Sequence, residues 1–183
     1  MAYRNGTYVA FHANGTNIPG ESDIDYYNLL KAWTAKNDDD FSIINSHDKV
    51  SAVRDSSKKV TLIASLQARL RNSKNMILII GQTTRFDNDW VPFEIQQTVD
   101  IYKLPIIAVY TDYDTIFAPE KLYHLWPYAL TTRINNRTAH VIHIPFKKPL
   151  IADAIEQFTF DNYPKGYGLG VYNQETYKRM DLI

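Results

Sequence analysis

Alternation of short apolar runs with helix-periodic segments predicts an α/β fold, a mainly parallel five-stranded sheet with helices on both faces. Three observations carry that expectation. Met76-Ile-Leu-Ile-Ile80 and Leu104-Pro-Ile-Ile-Ala-Val-Tyr110 are continuous apolar runs, as suits central strands covered on both sides. The segments between such runs repeat their apolar residues at helical spacing. Right-handed crossovers then restrict the topology, and five strands favour the order 2-1-3-4-5.

Taken in order, Thr7 to His12 is a short β-prone run followed by a polar loop to Ser22. From Asp23 to Asn37, Ile24, Tyr27, Leu30 and Trp33 fall on one face of a helix. Phe41 to Asn45 reads as the second strand, and Ser46 to Asp55 as a loop. Ser56 or Ser57 can cap a helix to about Asn72, with Val60, Ile63, Leu66 and Leu70 inward. After the strand ending at Gly81, Asp87 to Asp89 precede a helix to about Tyr102, with Asp89 as its cap and Val91, Ile95, Val99 and Tyr102 inward. Pro105 stands at the entry of the next strand, where a missing N–H is tolerated. Thr111 to Thr138 is long for a connection and contains a short helix near Glu120 to Leu125. Ala139 to Ile144 is the fifth strand and Leu150 to Phe158 a closing helix. Residues 1–160 thus form one domain. Residues 161–183 are rich in Tyr and Gly, too aromatic for a disordered tail, and are expected to pack on the domain or on a partner.

Composition narrows the function classes. The chain has 183 residues, with 20 basic and 20 acidic side chains, so it lacks the positive excess on which nucleic-acid binding usually rests. Cysteine is absent, which removes disulfides, thiol nucleophiles and cysteine metal sites. Met1 to Gly6 are polar with no apolar signal core, and no apolar run approaches the ~20 residues that span a bilayer. The expectation is a cytoplasmic protein without membrane or nucleic-acid partners, and the sequons at Asn5, Asn14 and Asn136 are chance matches.

Ligands of an open parallel sheet bind beyond the carboxyl ends of the strands, where strand order reverses, here between the first and third. Tyr8, Phe11 and His12 come from the first strand, Ser46 and Asp48 from the loop after the second, and Gln82 and Thr84 from the end of the third. The following helix opens with Trp90-Val-Pro-Phe-Glu94. Aromatic rings, hydroxyls, amides and one carboxylate are therefore expected at one cleft. Plain readings stand beside this one. An acidic residue near a helix start is favoured by the macrodipole, which accounts for Glu94 from position alone. His12 and His47 can be structural, His140 and His143 fall on opposite faces of a strand, and no metal site is assigned. Ser46-His47-Asp48 cannot form a triad from adjacent residues. Gly81 lacks the other glycines of a dinucleotide fingerprint. Arg69, Arg71, Arg133 and Arg137 read as solvated surface.

Four segments resemble the TIR-like proteins of the Thoeris antiphage system. They are the Phe11-His12 strand, the block Leu66-Gln-Ala-Arg-Leu70…Met76-Ile-Leu-Ile-Ile-Gly81-Gln-Thr, the string Trp90-Val-Pro-Phe-Glu94-Ile95, and the strand Leu104-Pro-Ile-Ile-Ala-Val. The match spans roughly residues 5–112, and the Trp90 to Ile95 string after Gly81-Gln-Thr is its most specific part. The resemblance implies a flavodoxin-like TIR fold that consumes NAD, a substrate rather than a cofactor, with Glu94 catalytic. It implies an NAD glycohydrolase or ADP-ribosyl cyclase reaction giving a cyclic ADP-ribose-type signal, and a separate NAD-depleting effector that responds to it. A phage-derived trigger and a homo-oligomer are further partners to consider. Chemistry agrees with a single carboxylate, because nicotinamide departs neutral and only the oxocarbenium-like ribose needs stabilising. Tyr8, Phe11 or Trp90 could stack on a base, and Gln82 and Thr84 could hold phosphate or ribose oxygens. The competing readings are a non-catalytic TIR-like self-association or scaffold module and a nucleoside deoxyribosyltransferase-like glycosidic enzyme.

Overall fold

The protein is described from a computed structural model, which covers residues 4–14, 22–35, 43–44 and 56–183. Its strands are β1 (Gly6–Ala10), β2 (Ile43–Ile44), β3 (Ser73–Ile80), β4 (Ile106–Tyr110), β5 (Val141–Pro145) and β6 (Gly170–Val171). All pair in parallel in the order β2-β1-β3-β4-β5-β6. The first five follow the predicted order 2-1-3-4-5, and the sixth comes from the aromatic C-terminal segment.

Strand geometry sends alternate side chains to opposite faces, and here both faces are buried. Tyr8, Met76, Leu78, Ile80, Ile106 and Ala108 enter one core. Helices α2 (Ser56–Arg71), α3 (Trp90–Gln96) and α4 (Tyr128–Asn135) cover it through Leu62, Leu66, Leu70, Val91, Ile95, Leu130 and Ile134. Val9, Phe11, Ile77, Ile79, Ile107 and Val109 enter the other. It is covered by α1 (Ile24–Ala35) and α5 (Lys148–Gln157), through residues that include Ile24, Tyr27, Leu30, Leu150 and Ile155. Among the described residues no helix is long and apolar enough to cross a membrane.

Several local expectations are corrected. Val60 is 70% exposed, and Leu62 takes the inward position with Leu66 and Leu70. Tyr102 is only half-buried. The helix after β3 does not run unbroken to Tyr102, because Gln97–Ile101 forms a π turn in which Tyr102 N donates to Gln97 O (3.0 Å). Asp89 makes no side-chain cap; Asp87 Oδ1 instead accepts from Asp89 N and Trp90 N (2.9 and 3.0 Å). Arg133 is not solvated surface. Its Nε donates to Asp100 Oδ1 (3.0 Å), and its Nη2 pairs with Asp100 Oδ2. The long excursion holds a 3₁₀ turn at Pro119–Leu125, near the expected site, and then α4, which was not expected. The loop assigned to Ser46 to Asp55 lies outside the described residues.

Residues 161–183 supply β6 and α6 (Gln174–Arg179), the latter capped by Asn173 Oδ1 accepting from Thr176 N (2.9 Å). Buried polar groups fasten this segment. Trp126 Nε1 donates to Tyr110 Oη (2.7 Å), Tyr110 Oη meets His143 Nδ1 (2.7 Å), and His143 Nε2 meets Gly168 O (2.8 Å). A carbonyl only accepts, so His143 carries its proton on Nε2 and Nδ1 accepts from the tyrosine. Burial pushes the His143 imidazole down to about 4, so it is neutral at pH 7. Tyr177 is fully buried, and its hydroxyl accepts from Ile116 N (3.1 Å).

Gly170 lets β6 approach. An added Cβ would stand 2.7 Å from Val141 O and 2.8 Å from Lys165 O, both main-chain atoms that cannot swing aside. Gly170→Ala is expected to lower the unfolding free energy by about 1–3 kcal/mol, measured as a shift in urea midpoint. An unchanged midpoint would show that β6 is not held as described.

Candidate active site

At the carboxyl ends of β3 and β4 and the start of α1 lies a cleft of about 320 Å³, within the range of small-molecule sites. Its polar lining includes Asp23, Asp25, Gln82, Thr83 and Asp112, with the ring of Tyr26 beside them. Ser22 Oγ accepts from Ile24 N (3.3 Å), which starts α1 and aims Asp23 at the sheet. Gly81 permits the close approach, since an ideal Cβ there would fall 2.1 Å from Asp23 Oδ1. Gly81 N donates to Thr84 Oγ1 (2.8 Å), and Thr84 Oγ1 donates to Asp23 Oδ2 (2.7 Å). Burial pushes the Asp23 carboxyl up to about 6, against the Thr84 hydrogen bond, and the nearby Asp112 charge adds to the rise. On the rim, Gln82 Nε2 donates to Asp112 Oδ2 (2.8 Å), and His12 Nδ1 lies 3.1 Å from Thr83 Oγ1.

Glu94 sits elsewhere. It projects from α3 into the core shared with α2, is fully buried, and accepts on Oε1 from the hydroxyl of Tyr8 (2.5 Å). Burial, then the charge of Glu94, holds the Tyr8 phenol well above its ordinary range, while the charge of Arg69 pulls it down. Tyr8 is therefore a permanent donor to this carboxylate. Trp90 and Phe93 are half-buried against the same core, edge to face at 6.3 Å, and Lys59 Nζ stands 5.9 Å from the Trp90 ring.

The expected residues thus form two groupings. Gln82 lines the cleft, with His12 joined to its rim through Thr83. Tyr8 and Trp90 accompany Glu94, which does not line that cleft. Phe11 is buried and stacks on Tyr27 (4.7 Å, 17° between planes), so it is core. Thr84 is buried with its hydroxyl engaged by Asp23. Ser46 and Asp48 lie outside the described residues. Sequence reasoning missed Asp23, Asp25 and Asp112, and it assigned Arg69 to the solvated surface. Asp23 reads as a helix start, and only the need for glycine at position 81 hints at its partner across the fold. Among the described residues no group of three or more His, Asp or Glu side chains is placed to hold a metal ion.

With this geometry in place, the comparison with known families is direct. The family described as Thoeris protein ThsB, TIR-like domain, matches residues 8–116, more than half of the chain. The chain belongs to that family. The ThsB-type match runs from within β1 to beyond β4 and so includes Tyr8, Asp23, Gly81, Trp90, Glu94 and Asp112. A TIR-like domain of this type suggests Thoeris antiphage defence, and the strand order found here fits its fold.

Asp23 makes stability depend on pH with a definite sign. The unfolded carboxyl loses its proton near its ordinary value of 3.8, but the folded one does so only near 6. Between these values the folded state binds more protons, so stability falls as pH rises through the window and loses nothing further above it. Asp23→Asn should remove that loss. Its stability relative to the parent should improve by about 2–3 kcal/mol between pH 4 and pH 7, read from urea unfolding at each pH. A constant difference across that range would refute the buried, proton-retaining state of Asp23.

Proposed function

We propose that the chain is an NAD-consuming enzyme of antiphage defence, with Glu94 as its catalytic carboxylate. One observation carries the reading: a glutamate lies fully buried beside the apolar core of the sheet, held by a tyrosine hydroxyl. Burying a carboxylate is costly, and buried ionisable groups with a specific polar partner concentrate at functional sites. The ThsB-type family match supports the same assignment.

The chemistry needs little more. The C1′–N bond of the nicotinamide ribose breaks with its electron pair going to the pyridine nitrogen, so nicotinamide leaves neutral without a general acid. The carboxylate of Glu94 stabilises the positive charge left on the ribose or fixes its hydroxyls. A nucleophile within the same ADP-ribose attacks C1′ and gives its proton to solvent, which closes a cyclic ADP-ribose isomer. A separate NAD-depleting effector then reads that signal in the cytoplasm. Because Glu94 has no exposed surface in this conformation, turnover requires a movement that uncovers it, which suits an enzyme awaiting a phage-derived trigger.

The scaffold reading rests on the aromatic tail as a self-association surface. Tyr172 and Tyr177 of that tail are buried in the domain, which leaves the scaffold with less support.

Glu94→Gln keeps the side-chain volume and an acceptor for Tyr8, so the fold should persist. NAD turnover should fall by about 10²–10³ or more. The measurement is mass spectrometry of NAD incubated with purified protein, alone and with extract of phage-challenged cells. Turnover that survives the substitution removes Glu94 from catalysis, and no turnover under either condition favours the scaffold.

A further inference from the structure

We propose that Tyr8 is a positioning residue that holds Glu94 through its hydroxyl and keeps the carboxylate ionised, rather than a ring on which substrate stacks. The inference rests on the reading of Glu94 as the catalytic group and adds how that group is controlled.

The geometry comes first. Tyr8 and Glu94 are both fully buried and meet at 2.5 Å, the short distance typical of an O–H donor to an ionised carboxylate. Tyr8 lies inside β1, with its backbone paired to Met76 on one side and Ile44 on the other, so it has little freedom to leave the sheet. Its ring is enclosed in the core that contains Leu66, Leu70, Val91 and Ile95, and therefore offers no face to a ligand. What it does offer is one hydroxyl aimed at Oε1. A donor to the charged form lowers the pKa of a carboxylate, whereas the surrounding apolar side chains raise it. Among the described residues, the other groups whose charge acts on Tyr8 are Arg69 on α2 and Tyr27 on α1. Tyr8 itself stays protonated, because burial and the glutamate charge both hold its phenol far above neutrality.

The test varies the donor strength in both directions. Tyr8→Phe keeps the ring and removes the hydrogen bond. The acid limb of kcat/KM for NAD should then move up by about 1 to 2 pH units, with turnover recovering at higher pH. Replacement of Tyr8 by 3-fluorotyrosine gives a more acidic phenol and a stronger donor, and the limb should move down. A purely structural role predicts no such opposition of sign. Limbs that stay in place, or that move the same way in both variants, overturn the proposal. If Tyr8→Phe does not fold, the fluorotyrosine protein, which keeps the hydroxyl, decides alone. A second readout needs no turnover. The carboxyl ¹³C signal of Glu94, assigned by its loss in Glu94→Gln, should titrate at higher pH in Tyr8→Phe and at lower pH in the fluorotyrosine protein. Should the wild-type protein turn over no NAD, the proposed function fails, and the carboxyl titration by itself upholds or overturns the hold of Tyr8 on Glu94.

Discussion

Burial of β3 and β4 on both faces is the constraint on which the rest of this structure depends. Met76, Leu78 and Ile80 enter one core while Ile77 and Ile79 enter the other, so neither face of the sheet can be left to water. Helices must then cover both sides, and right-handed crossovers require the chain to reverse its direction of travel across the sheet. The reversal falls between β1 and β3. It opens a crevice at the carboxyl ends, where no helix can cross without blocking a strand. The Asp23 cleft beside Gly81 is thus a consequence of topology before any side chain is chosen to line it.

A core of this kind tolerates polar groups only when they are matched, and the ways of matching differ in what they accomplish. Asn75 donates to the carbonyls of Ile155 and Phe158 and accepts from Thr7, so one amide ties β3 to β1 and to the end of α5. The Trp126, Tyr110 and His143 network likewise ends on a main-chain carbonyl, that of Gly168, and pins β6 to the sheet. Both networks end on main-chain carbonyls. The Tyr8 and Glu94 pair does something else. It joins two side chains on elements already held by apolar neighbours, and an apolar pair of similar volume would serve the fold as well or better. That difference is what the catalytic role proposed for Glu94 accounts for.

How far the site could be read from sequence follows the same division. The strands Met76 to Ile80 and Leu104 to Tyr110 announce themselves because double burial leaves a continuous apolar run. The helix face of Ile24, Tyr27 and Leu30 does so through its spacing. The string from Trp90 to Glu94 placed α3 and its carboxylate, and the family match now covers both. What stayed hidden has no local signature. Nothing near Tyr8 in the chain indicates that its hydroxyl will meet a residue 86 positions away. The pairing of Asp23 with Thr84 and the reach of Arg133 to Asp100 are likewise set by packing alone. Val60 was misplaced for a related reason: on a helix with apolar residues at several phases, only the contact with the sheet decides which stripe faces inward.

Two carboxylates on either side of this arrangement stand in different surroundings, Asp23 at the cleft and Glu94 in the core. Asp23 retains its proton to about pH 6 because burial outweighs its one hydroxyl donor, and Asp112 adds repulsion. Glu94 has a donor that cannot itself ionise near neutrality and a guanidinium within electrostatic reach of that donor. At pH 7 the cleft therefore presents Asp23, Asp25 and Asp112 as like charges around a polar floor. Such a field opposes a diphosphate and favours a cationic ring or sugar hydroxyls.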